Sequence, residues 1–339
     1  MKNFQSVLVA LLVVLLVGVV FSEIEVVKAE PIIYIRSDGS VEGTDKIEQS
    51  GDVYTFLDVV FKGIQIQRSN IVVDGAGHTL QGDGEVHGPH DIVGMGIEVL
   101  ECSNVTIKNL KITQFTRGIR FTNASECEVC LNVLSNNSIG VELGGTDRSH
   151  FTAYSTNNRV IHNIINEDHN VGVMLYYGSS NNISHNVITS NNHGVYIMSG
   201  GSENSITWNN ITDNTKGVYV ESSGVAIHHN NFVGNTYDWW DYGLTPWPFQ
   251  LPFFVNVWDD GTEGNYWSRY DGTDTDGDGI GDTPHYLYEN NTDNHPLMAP
   301  VELEVIPEFP TLFIVAAGLV VVTVLSTSYK LKMKQRKKR

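Results

Sequence analysis

The strongest constraint on the fold is an asparagine that recurs at the same place in five similar short motifs. In each motif one apolar residue lies three positions before the asparagine and another lies two positions after it; these asparagines are Asn132, Asn163, Asn186, Asn209 and Asn230. Alternating segments next to a glycine lie between and before the motifs; these glycines are Gly96, Gly118, Gly140, Gly172, Gly194 and Gly217. The glycines are 22, 22, 32, 22 and 23 residues apart. A repeat of this length is typical of a solenoid.

The repeats predict strands rather than helices. Short runs of β-branched residues alternate with polar residues, and asparagine, glycine and serine separate the runs. This period of two is typical of strands, and the repeats lack the 3.6-residue period of an amphipathic helix. A coil of about 22 residues has room for three short strands and three bends, and coils about 4.8 Å apart pair each strand with its copies above and below. We therefore predict an all-β fold, a parallel β-helix over residues 71–235.

The asparagines are expected at the bends, because asparagine tolerates a left-handed backbone. Stacked asparagines can also hydrogen-bond to one another and replace the backbone partners that a buried bend loses. The ten extra residues between Gly140 and Gly172 are expected to leave the coil as a loop on one face. Such insertions often mark the binding side of a solenoid.

The repeats resemble those of right-handed parallel β-helices shared by pectate lyases, polysaccharide epimerases and the NosD-type periplasmic copper-binding family. After the last repeat, residues 264–268, 274–284 and 293–298 resemble the C-terminal signature of NosD-like proteins. The resemblance covers about residues 31–300. It implies a right-handed single-stranded parallel β-helix and copper as the expected ligand, although a repeat of this kind is specific for fold rather than activity.

Both ends of the chain have features of an exported, membrane-anchored protein. Lys2 precedes an uncharged apolar run at 7–21, and small residues follow near Ala29, which predicts a secretory signal or, alternatively, an uncleaved anchor. Residues 309–329 carry no charge and are long enough to span a membrane, and the basic tail that follows predicts a cytoplasmic end. The sequence Pro-Glu-Phe-Pro at 307–310 resembles archaeal sorting signals that are exchanged for a lipid anchor; a plain transmembrane anchor is the alternative.

These features predict seven segments. They are a signal peptide (1–29), an N-terminal cap with the first strands (30–70), the β-helix repeats (71–235), an aromatic and acidic C-terminal cap (236–300), a linker (301–310), one transmembrane helix (311–329) and a basic cytoplasmic tail (330–339). The formal net charge is −18, and many of the basic residues lie at the two ends. An acidic ectodomain argues against nucleic acid as a partner, because phosphates require Lys and Arg.

An acidic motif in the C-terminal cap has the spacing of a calcium-binding loop. Its ligands at positions 1, 3, 5, 7 and 9 would be the carboxylates of Asp274, Asp276 and Asp278, the backbone carbonyl of Ile280 and the carboxylate of Asp282. Position 12 is His285 rather than Glu, so a bidentate ligand has to come from Glu289 or Asp293. We predict a structural calcium clamp resembling dockerin or thrombospondin-type loops, with an acidic turn as the alternative.

The many aromatic residues at 237–270 are expected to cover the end of the β-helix or, alternatively, to stack on sugars.

The residue before each motif asparagine forms a predicted column along the β-helix. Stacking brings His162 and His185 within about 5 Å, which suits two imidazoles on one metal ion. Copper favours imidazole and thioether ligands, and Met174 and Met198 lie on the same coils. The column is therefore a candidate copper site; polar stacking on a wet surface is the alternative.

The outward residues of the strands after each glycine form a second predicted column. Here Glu98 and Glu142 flank Arg120, which is either the carboxylate and base arrangement of a β-helix lyase or a cross-strand charge ladder. Nearby Tyr176, Tyr196 and Tyr219 either stack on a glycan or pack between coils.

The sequence therefore predicts a cell-surface binding or structural module, stabilised by calcium, with a glycan or a metal ion as its ligand. One alternative is a polysaccharide lyase, hydrolase or epimerase that uses Glu98, Arg120 and Glu142. The other is a copper-handling maturation protein that delivers the metal to a partner.

Overall fold

The computed structural model describes residues 32–88, 91–146, 152–198, 201–241 and 254–303. The predicted signal peptide, the transmembrane helix, the basic tail and all but the first three residues of the linker lie outside these ranges. Within them, no helix has the length and apolar character needed to cross a membrane. The described helix is a single 3-10 turn at Ile92–Gly94.

The strands form three long sheets along one β-helix and are numbered along the chain. Sheet A contains β1 (Ile33–Ile35), β2 (Val41–Glu42), β5 (Ile64–Ile66), β8 (Met95–Leu100), β11 (Arg117–Thr122), β14 (Ile139–Thr146), β15 (Thr152–Ala153), β18 (Val171–Tyr176), β21 (His193–Ile197), β24 (Lys216–Val220) and β27 (Tyr237–Asp241). Sheet B contains β3 (Ile47–Ser50), β4 (Val53–Phe56), β6 (Ile71–Asp74), β9 (Val105–Lys108), β12 (Glu128–Cys130), β16 (Arg159–Ile161), β19 (Asn182–Ser184), β22 (Ser205–Thr207) and β25 (Ala226–His228).

Sheet C contains β7 (Thr79–Gln81), β10 (Lys111–Thr113), β13 (Val133–Ser135), β17 (Ile164–Asn166), β20 (Val187–Thr189), β23 (Asn210–Thr212), β26 (Asn231–Val233) and β28 (Tyr266–Trp267). A separate hairpin in the C-terminal region consists of β29 (His285–Tyr288) and β30 (Asn291–Asp293). Each coil supplies one strand to each long sheet, and consecutive coils pair in parallel. The predicted parallel β-helix is confirmed.

The coils are in exact vertical register, so that residues one repeat apart become neighbours. In sheet B Ile183 pairs with Ile206, and in sheet A Val195 pairs with Val218. These residues are fully buried and belong to the continuous apolar core inside the tube. Gly172 lies where two coils are closest, because a Cβ atom there would be 2.7 Å from the carbonyl oxygen of Gly194. The recurring glycine is therefore a packing requirement.

The ends and the insertion depart from the parallel pattern. At the N-terminal end β2 pairs antiparallel with β1, and β3 pairs antiparallel with β4. At the other end Trp258 and Trp267 are buried, and Trp267 stacks on Phe232 with ring centroids 4.5 Å apart. In the 32-residue coil β14 is eight residues long and pairs antiparallel with β15, which confirms that the extra residues leave the coil on one side.

The corner between sheets B and C corrects one detail of the sequence prediction. The residue with the left-handed backbone is the one before each asparagine, with φ between 54° and 58° at Leu131, His162, His185, Trp208 and His229. The five motif asparagines do not adopt this conformation. Their side chains point into the tube, where their amides bond the backbone of adjacent coils, and the preceding residue makes the turn that allows this.

Asparagine ladders run along all three corners, whereas the sequence motifs indicated one. In the corner between B and C, Asn186 donates from Nδ2 to Oδ1 of Asn209 at 3.0 Å and to the Val160 carbonyl at 2.8 Å. Its Oδ1 accepts the backbone N–H of Asn163 at 2.9 Å. The corner between C and A contains Asn137, Asp168, Asn191, Asn214 and Asn235. The corner between A and B contains Asn158, Asn181 and Asn204, and later Asn256 and Asn291.

Candidate functional site

A column of aromatic rings follows the left-handed corner residues between sheets B and C. The ring centroids of His162 and His185 are 5.0 Å apart, as the repeat spacing predicted. His185 lies 6.2 Å from Trp208, and Trp208 lies 4.3 Å from His229 in a parallel stack. The left-handed turn directs each of these side chains away from the core, and His162 and His185 are half-buried. We call these four residues the ring column.

The ring column can offer imidazole nitrogens to a metal ion. Neutral imidazole is a good ligand for copper and zinc, and adjacent coils hold His162 and His185 at a separation compatible with one shared ion. The predicted thioether ligands belong to sheet A: Met174 lies between Glu142 and Tyr196, and Met198 directly follows β21. The ligands that His162 and His185 themselves offer at this corner are imidazole nitrogens.

Sheet A brings the three predicted charged residues into one outward column. Arg120 pairs in register with Glu98 on one side and with Glu142 on the other, and its Nε lies 3.8 Å from Oε1 of Glu142. Gln65 donates a 2.7 Å hydrogen bond to Glu98, and Arg117 also bonds Glu142. All three predicted residues are at most 3% exposed. A polymer substrate needs access to catalytic groups, so this geometry favours the charge-ladder interpretation.

The same column continues as an aromatic stack toward the C-terminal end. Tyr196 and Tyr219 are parallel, with centroids 4.5 Å apart, and Tyr219 pairs with Trp240 in the next coil. The ring of His193 stacks beside both tyrosines, and Nζ of Lys216 lies 4.4 Å from the Tyr219 ring centroid. Burial lowers the pKa of His193, and the Lys216 ammonium lowers it further.

The third predicted tyrosine, Tyr176, is not part of this stack. It pairs with Gly144 in a different column, and its ring contacts that of Tyr177 at 4.5 Å. Burial raises its pKa, and the neighbouring Tyr177 raises it further. The structure therefore brings Tyr196 and Tyr219 together and separates Tyr176 from them. Because the stacked rings cover each other's faces, they offer mainly their edges and hydroxyl groups to a ligand.

The acidic loop of the C-terminal region brings part of the predicted calcium set together. One carboxylate oxygen from each of Asp274, Asp276 and Asp278 lies within 4.8 Å of the others. Three carboxylates at this spacing suit a hard cation such as Ca²⁺. Asp282 instead accepts the N–H of Thr275 at 2.9 Å, and the Thr275 hydroxyl holds the pKa of Asp282 below its ordinary value.

Asp293 is not the missing bidentate calcium ligand. It is fully buried, and its Oδ2 accepts the indole N–H of Trp267 and the backbone N–H of Asn265, both at 2.8 Å. These contacts fix the tryptophan that closes the tube. The sequence offered Asp293 as a calcium ligand, and its burial could not be predicted because its two partners lie 26 and 28 residues away.

Comparisons with known proteins place the chain in a family. A family model described as periplasmic copper-binding protein (NosD) matches residues 46–272. No curated protein matches the sequence. Among solved structures, the periplasmic alginate epimerase AlgG is 20% identical, with a TM-score of 0.38 over 60% of this chain and 41% of that chain. The A-module of the Azotobacter vinelandii mannuronan C-5 epimerase AlgE6 is 14% identical, with a TM-score of 0.42 over 57% and 58% of the two chains. The match spans less than two thirds of the length of either protein.

Proposed function

This chain belongs to the NosD family of periplasmic copper-binding proteins, and on that premise we propose that it binds copper outside the cytoplasm through the ring column. The observation that supports this best is the 5.0 Å separation of the His162 and His185 rings. Both rings are only half-buried, so a partner protein can reach the metal, as a copper-handling protein requires. We place the β-helix on the outer side of the cell membrane, held there by the predicted C-terminal anchor.

The rigidity of the corner supports this assignment. The ladder amides beneath the rings, Asn163 and Asn186, are fully buried and bonded to each other at 3.0 Å. The backbone that carries the two imidazoles is therefore fixed before any metal arrives. A site held in place in this way loses little conformational entropy on binding, which favours affinity.

Calcium is proposed as a structural cofactor of the C-terminal region. Asp274, Asp276 and Asp278 would supply its carboxylate ligands, and the Ile280 carbonyl and Asp282 would complete the loop after a local rearrangement. The loop is tied to the closing segment of the tube, because Gly281 donates to the carbonyl of Pro296 at 2.8 Å. Calcium binding would therefore stabilise the end of the β-helix by mass action.

A glycan ligand is the second candidate, supported by the edges of the Tyr196 and Tyr219 stack, by Trp240 in the next coil and by the ammonium of Lys216. The hydroxyl of Tyr196 already donates to Glu221 at 2.9 Å. A sugar would have to bind along these edges, so copper remains the function that the geometry supports better.

The copper proposal is tested by titrating the purified full chain with Cu²⁺ while recording tryptophan fluorescence. Trp208 lies next to His185, so bound copper should quench its emission. We expect His162→Ala/His185→Ala to lose one quenching phase. The matched control, His78→Ala/His169→Ala, removes two histidines outside the column and should behave as wild type. Unchanged tight quenching in the first variant would overturn the proposal.

A further inference from the structure

Two adjacent histidines lie at the C-terminal end of the ring column. His228 is the last residue of β25, and His229 is the left-handed corner residue that follows, with φ of 57°. This turn brings both rings to the same side of the backbone. Their Nδ1 atoms face each other at 2.7 Å, and the ring planes are inclined by 72°.

A second acidic segment, residues 259–264, covers this corner. Two residues lie between Ile227 and Asn230 in the coil below, but six lie between Trp258 and Asn265 in the coil above. The additional residues carry three carboxylates, those of Asp259, Asp260 and Glu263. Oδ2 of Asp260 lies 4.0 Å from Nε2 of His229. The loop therefore makes the corner favourable for a cation.

Glu263 fixes the orientation of His229. Its Oε2 lies 3.1 Å from Nε2 of the imidazole. A carboxylate accepts hydrogen bonds, so Nε2 carries the proton in this pair and the lone pair of a neutral His229 is on Nδ1. That lone pair points toward Nδ1 of His228. The same carboxylate–histidine pairing orients metal-binding imidazoles in many proteins.

We propose that His228 and His229 hold one divalent first-row transition-metal ion, Cu²⁺ in the first instance, between their Nδ1 atoms, with Glu263 as the positioning residue. Two imidazole nitrogens each about 2.0–2.1 Å from one ion, at a right angle, are about 2.9 Å apart. The two Nδ1 atoms therefore need to move by only a few tenths of an ångström. His229 is 6% exposed and His228 is half-buried, so the ion is reached from one side.

This inference deepens the proposed function, because it names a second and more enclosed site for the same metal and rests on that function only for the identity of the ion. The alternative is a plain hydrogen bond between the two imidazoles, with a proton in the place of the metal. A hydrogen-bonded pair without metal affinity and a chelating pair give opposite results in a metal titration. The two copper sites involve different histidines and therefore succeed or fail separately.

The test is calorimetric titration of the full chain with Cu²⁺ alone, in wild type and in His228→Ala, His229→Ala and Glu263→Gln. We expect one binding phase to be lost in each histidine variant. Because outer carboxylates typically contribute a factor of about 10–100 to metal affinity, Glu263→Gln should weaken the same phase by that factor. The control Glu203→Gln, at an exposed corner glutamate, should leave it unchanged.

His229 stacks on Trp208, so His229→Ala can perturb the fold; the half-buried His228→Ala and the isosteric Glu263→Gln keep the proposal testable. Retention of both binding phases in His228→Ala would overturn it, as would equal affinity in wild type and Glu263→Gln. The proposal is supported if His228→Ala loses this binding phase and His162→Ala/His185→Ala retains it. A loss confined to His162→Ala/His185→Ala would support the site at His162 and His185 alone and contradict the second site.

Discussion

Oδ1 of Asp168 accepts the backbone N–H of Asn137 at 2.8 Å, so a carboxyl group occupies one rung of an asparagine ladder. The asparagines of this ladder use Nδ2 to donate to a carbonyl of the preceding coil, as Asn214 does to Ile188 at 3.1 Å. The other oxygen of Asp168, Oδ2, is buried and has no hydrogen-bond partner among the described residues. Burial raises the pKa of Asp168 to about 7. A protonated, neutral Asp168 fits the ladder, because its carboxyl proton can take the place of the Nδ2 donor of an asparagine.

We expect Asp168 to make the stability of the protein depend on pH. Its pKa in the folded state, about 7, is above the ordinary value of 3.8. Its stabilising contribution to the free energy of unfolding is therefore fully present below pH 3.8 and is lost as the pH rises through 7. A shift of this size is worth about 4 kcal/mol at most. In urea unfolding, Asp168→Asn should gain stability at pH 8 relative to wild type and gain much less at pH 4. The exposed Asp213→Asn is the control, and a lower stability of Asp168→Asn at pH 8 would contradict this account.

The buried ladder predicts a large difference between two asparagines of similar sequence context. Asn186→Ala removes the donor to the Val160 carbonyl and the acceptor of the Asn163 N–H. Each buried backbone group left without a partner costs about 1–3 kcal/mol, so we expect a loss of about 2–6 kcal/mol in the free energy of unfolding. Asn192→Ala, at an exposed position, should change it by less than about 0.5 kcal/mol. Equal effects of the two substitutions in denaturant titrations would argue against the ladder as a stabilising element.

The charge column of sheet A is predicted to be structural. Arg120→Ala would leave Glu98 and Glu142 buried beside an empty position, and breaking a buried ion pair costs about 3–5 kcal/mol. The exposed pair of Arg159 and Glu128 provides the control, because Arg159→Ala should cost about 1 kcal/mol or less.

Wild type incubated with acidic polysaccharides should release no new unsaturated ends. Turnover that Arg120→Ala abolishes would instead establish a lyase.

The calcium proposal predicts a thermal shift that depends on the acidic loop. For a dissociation constant of about 1 mM, typical of weak extracellular sites, about 10 mM Ca²⁺ should stabilise the protein by roughly 1.4 kcal/mol. A chelator should remove this gain, and Asp274→Asn/Asp276→Asn should show no response to calcium. Asp45→Asn, an exposed residue at the opposite end, should respond as wild type. A wild-type melting temperature that is the same with chelator and with calcium would refute the site.

The repeat made much of this structure predictable from sequence. Because the period aligns coils vertically, the contact between His162 and His185 followed from spacing alone. Contacts that form where the period is interrupted could not be predicted in this way. The pair of His229 and Glu263 spans 34 residues and an irregular loop, and the burial of Asp293 depends on how the last coil closes. The assignment of the left-handed backbone to the asparagines was wrong because sequence preference favoured them, whereas the inward hydrogen bonds required their neighbours to make the turn.

The central claim is that the corner between sheets B and C holds two pairs of histidines, His162 with His185 and His228 with His229, that each bind one copper ion. Its most direct test is the number of copper ions retained per chain after equilibrium dialysis against Cu²⁺, measured by elemental analysis. The account predicts two ions in wild type, one in His162→Ala/His185→Ala, one in His228→Ala/His229→Ala and none when all four residues are replaced. The same copper content in wild type and in the fourfold variant would contradict it.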